Sequence, residues 1–90
     1  MPYVLLCKDA PGKLETRLAN RDAHLAYAAE TGLVSLAGPF RTDEGDMAGS
    51  LVVLDVETRA DAEAWAAADP YAKAGLFSSV EIHRWKRTVG

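Results

Sequence analysis

"AAADPYAKAGLF", residues 66–77, ends one element and starts another. Three alanines favour a helix, but Asp69 is followed by Pro70, whose ring and missing N–H cannot continue it. The chain must leave the helix here and turn into the apolar segment that follows. A carboxylate at that point is unfavourable by itself, because a helix C-terminus carries partial negative charge. Asp69 also continues the stripe formed by Ala62, Trp65 and Ala66, so it points to the apolar side of its helix. Its partner is therefore expected inside the domain.

Working outward, Thr58 and Asp61 have the spacing of a capping box, which starts this helix near Arg59. Before it, "GSLVVLDV" (49–56) is an apolar, β-branched run of the kind found in a central strand. After it, "SVEIHRWK" (79–86) alternates Val80 and Ile82 against Glu81 and His83, a half-exposed strand. The N-terminal half has the same rhythm. Tyr3 to Lys8 reads as a strand closed by the turn residues "DAPG". From Leu14 the period becomes helical, with Leu14, Leu18, Leu25, Ala28 and Ala29 on the expected inward side and Gly32 as the C-cap. "LVSLAGPF" (33–40) is a strand with a bulge or edge at Gly38 and Pro39, and "RTDEGDMA" (41–48) is a solvated loop.

The order β-α-β-β-α-β predicts an α+β, ferredoxin-like protomer: an antiparallel sheet with both helices on one face, in a single domain over residues 1–90. The other face, rich in Val, Leu, Ile and Trp, would be a large apolar patch in water. The expected partner is a second copy, a homodimer formed through the open sheet faces.

Composition narrows the function classes. With 90 residues, 49% hydrophobic, 26% charged and a net charge of −3, the chain lacks the basic footprint of a nucleic-acid binder. The opening "MPYVLLCKDAPG" has no basic start and too short an apolar run for a membrane span. Cys7 is the one cysteine, which excludes an internal disulfide and suits a reducing, cytoplasmic setting. It reads as a buried small hydrophobe rather than a nucleophile. Glu81 and His83 share a strand face without a third ligand, and "TDEGD" lacks the pattern of a calcium loop, so no metal is expected. No cofactor motif, glycine-rich phosphate loop or nucleophile elbow is present, and no cofactor is expected.

Arg21 falls near the middle of the first helix's apolar stripe, with Arg17 and His24 along its edge. A buried guanidinium needs a carboxylate. Asp69 can pair with Arg21, with His24, or with both. A His24–Asp69 pair has two meanings: a structural ion pair, or a dyad in which the carboxylate orients the imidazole for proton transfer.

"RDAHLAYA", "GLVSLAGPF", "GSLVVLDV" and "DPYAKAGLFSSVEI", in this order and spacing, resemble the YciI-like family of small α+β dimeric-barrel proteins. The resemblance covers nearly the whole chain. It implies a ferredoxin-like protomer, a dimer, and an active site around a His and an Asp, which fall on His24 and Asp69. Relatives in this group include a branch that removes chloride from chlorinated hydroxyquinols, and the wider superfamily resembles muconolactone isomerases. The expected function is general acid/base proton transfer on a small phenolic or lactone-like compound by a His24–Asp69 dyad, as an isomerase, lyase or dehydrochlorinase. Arg21 would hold an anionic oxygen, Ser35, Gly38, Pro39 and Phe40 would line the cavity, and Tyr71 would stand at its mouth. The rival reading is a non-catalytic dimeric ligand-binding or accessory module.

Overall fold

The computed structural model describes residues 2–90. Its elements are β1 (Tyr3–Asp9), α1 (Leu14–Thr31), β2 (Val34–Arg41), β3 (Met47–Leu54), α2 (Arg59–Ala68), the one-turn α3 (Pro70–Lys73) and β4 (Phe77–Arg84). The four strands form one sheet in the order β2-β3-β1-β4, antiparallel throughout. This is the ferredoxin-like α+β arrangement, with α3 added where Asp69 and Pro70 interrupt α2.

The caps follow the sequence. Thr58 Oγ1 accepts the Asp61 N–H at 3.1 Å and starts α2. Gly32 ends α1 in the left-handed region at φ 66°, a conformation that costs other residues a Cβ clash. Strands β3 and β4 each begin two residues earlier than their apolar runs. Pairing extends them, since Met47 lies opposite Arg41 and Phe77 opposite Asp9.

Alternation in β1 turns Tyr3, Leu5 and Cys7 to the helices, opposite Leu54, Val52 and Ser50 of β3. With Val56, Ala62 and Trp65 these apolar side chains form the core, and Leu5, Val52, Leu54 and Leu76 are essentially sealed from solvent. Trp65 locks α2 to α1: its Nε1–H donates to Thr31 Oγ1 at 3.0 Å, and its carbonyl accepts the Tyr27 hydroxyl at 2.8 Å.

One expectation is overturned in α1. Leu14, Leu18 and Leu25 do not face the core; they are 45%, 53% and 47% exposed. The buried residues of this helix are Arg17 and His24, with Tyr27, Ala28 and Thr31 half-buried beside them. The helix is rotated so that its polar edge lies over the sheet. A cavity and a set of buried hydrogen bonds occupy that interface, which gives arginine and histidine partners that leucine could not use. Arg21, expected in the middle of the buried stripe, is exposed.

Candidate active site

A cavity of about 220 Å³ lies between α1 and the β2–β3 half of the sheet. Helix α1 contributes Arg17, Arg21 and His24, the strands contribute Gly38, Pro39 and Ser50, and Tyr71 of α3 closes one side.

Asp69 is the hub. It is 3% exposed, the last residue before α3, and its Oδ1 accepts the Tyr71 backbone N–H at 3.0 Å, so it caps that short helix. The same oxygen meets His24 Nδ1 at 2.8 Å, across 45 residues of sequence. The carboxylate that looked unfavourable at the end of α2 is satisfied by the start of α3 and by an imidazole. An ionised carboxylate only accepts, so with Asp69 charged Nδ1 carries the proton and Nε2 of neutral His24 holds the lone pair. Nε2 has no protein partner among the described residues, and no side-chain nitrogen or oxygen there is both sealed and unbonded. It therefore opens to the cavity that His24 lines.

The imidazole is held on two sides. The Tyr71 ring stacks on it, centroids 4.0 Å apart and 14° from parallel, and the Trp65 ring meets it edge-on at 6.5 Å. Tyr71 is buried, 3% exposed, and forms a wall against the histidine rather than standing at the mouth as expected. Burial pushes its phenol above the ordinary range, against the opposing pull of Arg17 and Arg21. It remains a neutral O–H donor.

A second buried cluster adjoins the first. Arg17, 2% exposed, donates from Nε to Asp9 Oδ2 at 2.7 Å and from Nη2 to Asp9 Oδ1 at 2.8 Å and Ser50 Oγ at 2.9 Å. Its Cζ also lies 4.8 Å from the Tyr71 centroid. Burial alone would lower its pKa, but the hydrogen bonds and charges of Asp9 and Tyr71 together outweigh burial and hold it above its ordinary value. Cys7 lies on the same side of the sheet, and burial, with Asp69 adding to it, pushes its thiol up to about 12, far from a reactive thiolate. Among the described residues no three His, Cys, Asp or Glu side chains converge as metal ligands would.

The cavity thus brings together His24, Arg21, Gly38, Pro39 and Tyr71, while Asp69 lies outside its lining and reaches it through the bond to His24. Arg21 lines it from an exposed position and makes no ion pair with Asp69 among the described residues. Ser35 and Phe40 are elsewhere. The register of β2 shifts between Val34 and Leu36, and Ser35 sits in that irregularity with its hydroxyl on the Val53 carbonyl at 3.2 Å. Downstream of the shift, Ala37 and Pro39 pair with the helix-facing Val52 and Ser50, while Phe40 pairs with Gly49 and borders a separate shallow groove. The sequence placed Arg17 beside His24 on the edge of the helix stripe without giving it a role, and it left Asp9 and Ser50 unmarked. Arg17 and His24 are seven residues apart, two helical turns, and that spacing was the available signal.

Residues 1–86 match the YCII-related domain. An uncharacterised protein of Haemophilus influenzae is 37% identical over 97% of this chain and 98% of its own length. Protein YciI of Escherichia coli is 36% identical over 97% of this chain and 98% of its own. A solved structure of 5-chloro-2-hydroxyhydroquinone dehydrochlorinase (TftG) from Burkholderia phenoliruptrix, in complex with 2,5-dihydroxybenzoquinone, is 35% identical with a TM-score of 0.86, covering 96% of this chain and 94% of that one. PA3566 from Pseudomonas aeruginosa, at 13% identity and a TM-score of 0.59 over 98% of this chain and 93% of its own, shares the fold. The chain belongs to the YCII-related domain family.

Proposed function

We propose that this protein is a cofactor-independent enzyme that moves a proton on a small ring compound, phenolic or lactone-like, with His24 as general acid/base. The observation that carries this reading is the bond from His24 Nδ1 to Asp69 Oδ1, 2.8 Å long and buried at the wall of a cavity. The carboxylate fixes the tautomer that leaves Nε2 as a base and stabilises the imidazolium formed when Nε2 takes a proton. In an isomerisation His24 returns that proton to another atom of the ring. In an elimination the electron pair of the broken C–H bond forms a double bond and chloride departs, so the ring loses one proton and one chloride.

Size supports a single ring. A cavity of about 150 Å³ holds one benzene, and this one, at about 220 Å³, leaves room for a few substituents. Tyr71 offers a neutral hydroxyl, Arg21 a cation at the rim, and Gly38 and Pro39 a smooth wall. The similarity to a dehydrochlorinase solved in complex with a dihydroxybenzoquinone supports the same substrate class.

The test is a screen of hydroxylated and chlorinated ring compounds for deuterium exchange and chloride release, run on wild type and on His24→Ala. Activity lost in a variant that melts at nearly the wild-type temperature supports the enzyme. Saturable binding without turnover points to a ligand-binding module instead.

The same reading includes a homodimer. Val4, Leu6 and Leu36 lie by register on the sheet face away from the helices, half-buried or exposed, a patch that a second copy would cover. Light scattering at micromolar concentration tests it, and a monomer there would sink it.

A further inference from the structure

We infer that Arg17, set by Asp9 and Ser50, holds an ionised oxygen of the ligand in this cavity, which selects ring compounds bearing a phenolate, enolate or carboxylate. The inference rests on the reading of the cavity as a ligand site. It moves the anion-holding role from the exposed Arg21 to a buried residue.

The geometry of the guanidinium carries the argument. Asp9 takes Nε and Nη2 in a two-pronged contact, and Ser50 takes the second hydrogen of Nη2. Neither touches Nη1, and among the described residues no side-chain nitrogen is sealed without a partner. Arg17 lines the cavity and there also hydrogen-bonds the Tyr71 hydroxyl, so a ligand oxygen would share or replace that neutral acceptor. Asp9 neutralises the net charge from behind, so the ion pair presents its positive end, with N–H donors already oriented, to the ligand. Ser50 accepts from Arg17 and keeps its own proton to donate. Both the guanidinium and the His24 imidazole abut the Tyr71 ring, 4.8 and 4.0 Å from its centroid. Both also line the same cavity, so a ring compound bound there would meet an anion holder and a base along one helix.

Calorimetric titration with 2,5-dihydroxybenzoquinone, an acidic ring compound, and with hydroquinone, which is neutral near pH 7, tests the inference. Wild type should prefer the acidic compound. Arg17→Lys, which keeps a charge for Asp9 but loses the fork, should weaken that compound at least tenfold while changing hydroquinone less than twofold. Asp9→Asn should lower the same preference, a readout that mere structural support would not move. In wild type, the Arg17 Nη proton resonances should shift on titration with the acidic quinone while Nε–H, held by Asp9, stays. That spectrum decides the matter if Arg17→Lys does not fold. An unshifted Arg17, equal losses for both compounds, or no binding of the acidic quinone into the millimolar range would overturn the inference. Retained anion preference in an inactive His24→Ala supports it, and anion preference without turnover in wild type would defeat the enzyme reading and leave this one standing.

Discussion

The imidazole of His24 lies face to face with the phenol ring of Tyr71, 4.0 Å between centroids, and a single oxygen, Asp69 Oδ1, is bonded to the side chain of one and the backbone N–H of the other. Asp69 stops α2, caps α3 and orients the histidine at once. The stability of this corner and the chemistry of the cavity are therefore tied to one carboxylate.

Asp69→Ala removes the cap and the histidine's partner together. It should cost roughly 2–4 kcal/mol in urea denaturation. Asp69→Asn keeps an oxygen for the Tyr71 N–H and should cost less than half of that. Nitrogen spectra of neutral His24 should show the Nδ1–H tautomer in wild type and a mixture in Asp69→Ala. A fully stable Asp69→Ala protein would show that the hub contributes nothing to folding.

Breaking the Arg17–Asp9 pair on one side leaves a charge with little access to water, since the two side chains are 3% and 9% exposed. Arg17→Met alone should cost about 3–5 kcal/mol. The double variant Asp9→Ala with Arg17→Met should recover a good part of this loss, because no unpaired charge remains. Additive losses in the cycle would mean that the two residues are not coupled.

The buried Cys7 thiol sets a pH dependence. Its pKa rises from 9.0 to about 12 on folding, so between those values the folded state binds the proton more tightly than the unfolded state. Stability from this group is fully present below pH 9 and falls as pH rises through that window, by up to about 1.4 kcal/mol per pH unit. Burial raises Tyr27 and Tyr71 as well, which adds to the same alkaline loss. Unfolding curves from pH 8 to 11 should show the fall and Cys7→Ala should flatten it; an unchanged slope in that variant would remove the thiol as its cause.

Gly49 and Gly38 make a matched pair. A Cβ on Gly49 would collide with the Cys7 carbonyl oxygen of the neighbouring strand and press on Phe40 Cδ2 at 3.2 Å, whereas a Cβ on Gly38 meets nothing within 4 Å. Gly49→Ala should therefore destabilise by several kcal/mol, as overpacking against backbone does. Gly38→Ala should melt within a few degrees of wild type. Similar melting temperatures for the two would contradict the close approach of β1 and β3.

Local signals, together with the family resemblance, made the element order, the Thr58 and Gly32 caps, the inward direction of Asp69 and the pair of residues His24 and Asp69 legible in the sequence. Each depends on neighbours within a turn or two of the chain, or on a motif carried whole. The facing of α1 was not legible. Periodicity fixes the angle between its leucines and its arginines but not which side meets the sheet, and here a cavity with buried partners turned Arg17 and His24 inward and left Leu14, Leu18 and Leu25 exposed. The register shift at Ser35 likewise decides which β2 side chains reach the cavity, and it removed Ser35 and Phe40 from it. The network of Asp9, Arg17 and Ser50 joins β1, α1 and β3 across up to 41 positions, from 9 to 50. The sequence by itself determined which elements form and which residues could carry charge or protons. Only the tertiary structure decided which of them meet, because that depends on how the helices rotate and how the strands slip to satisfy buried polar groups.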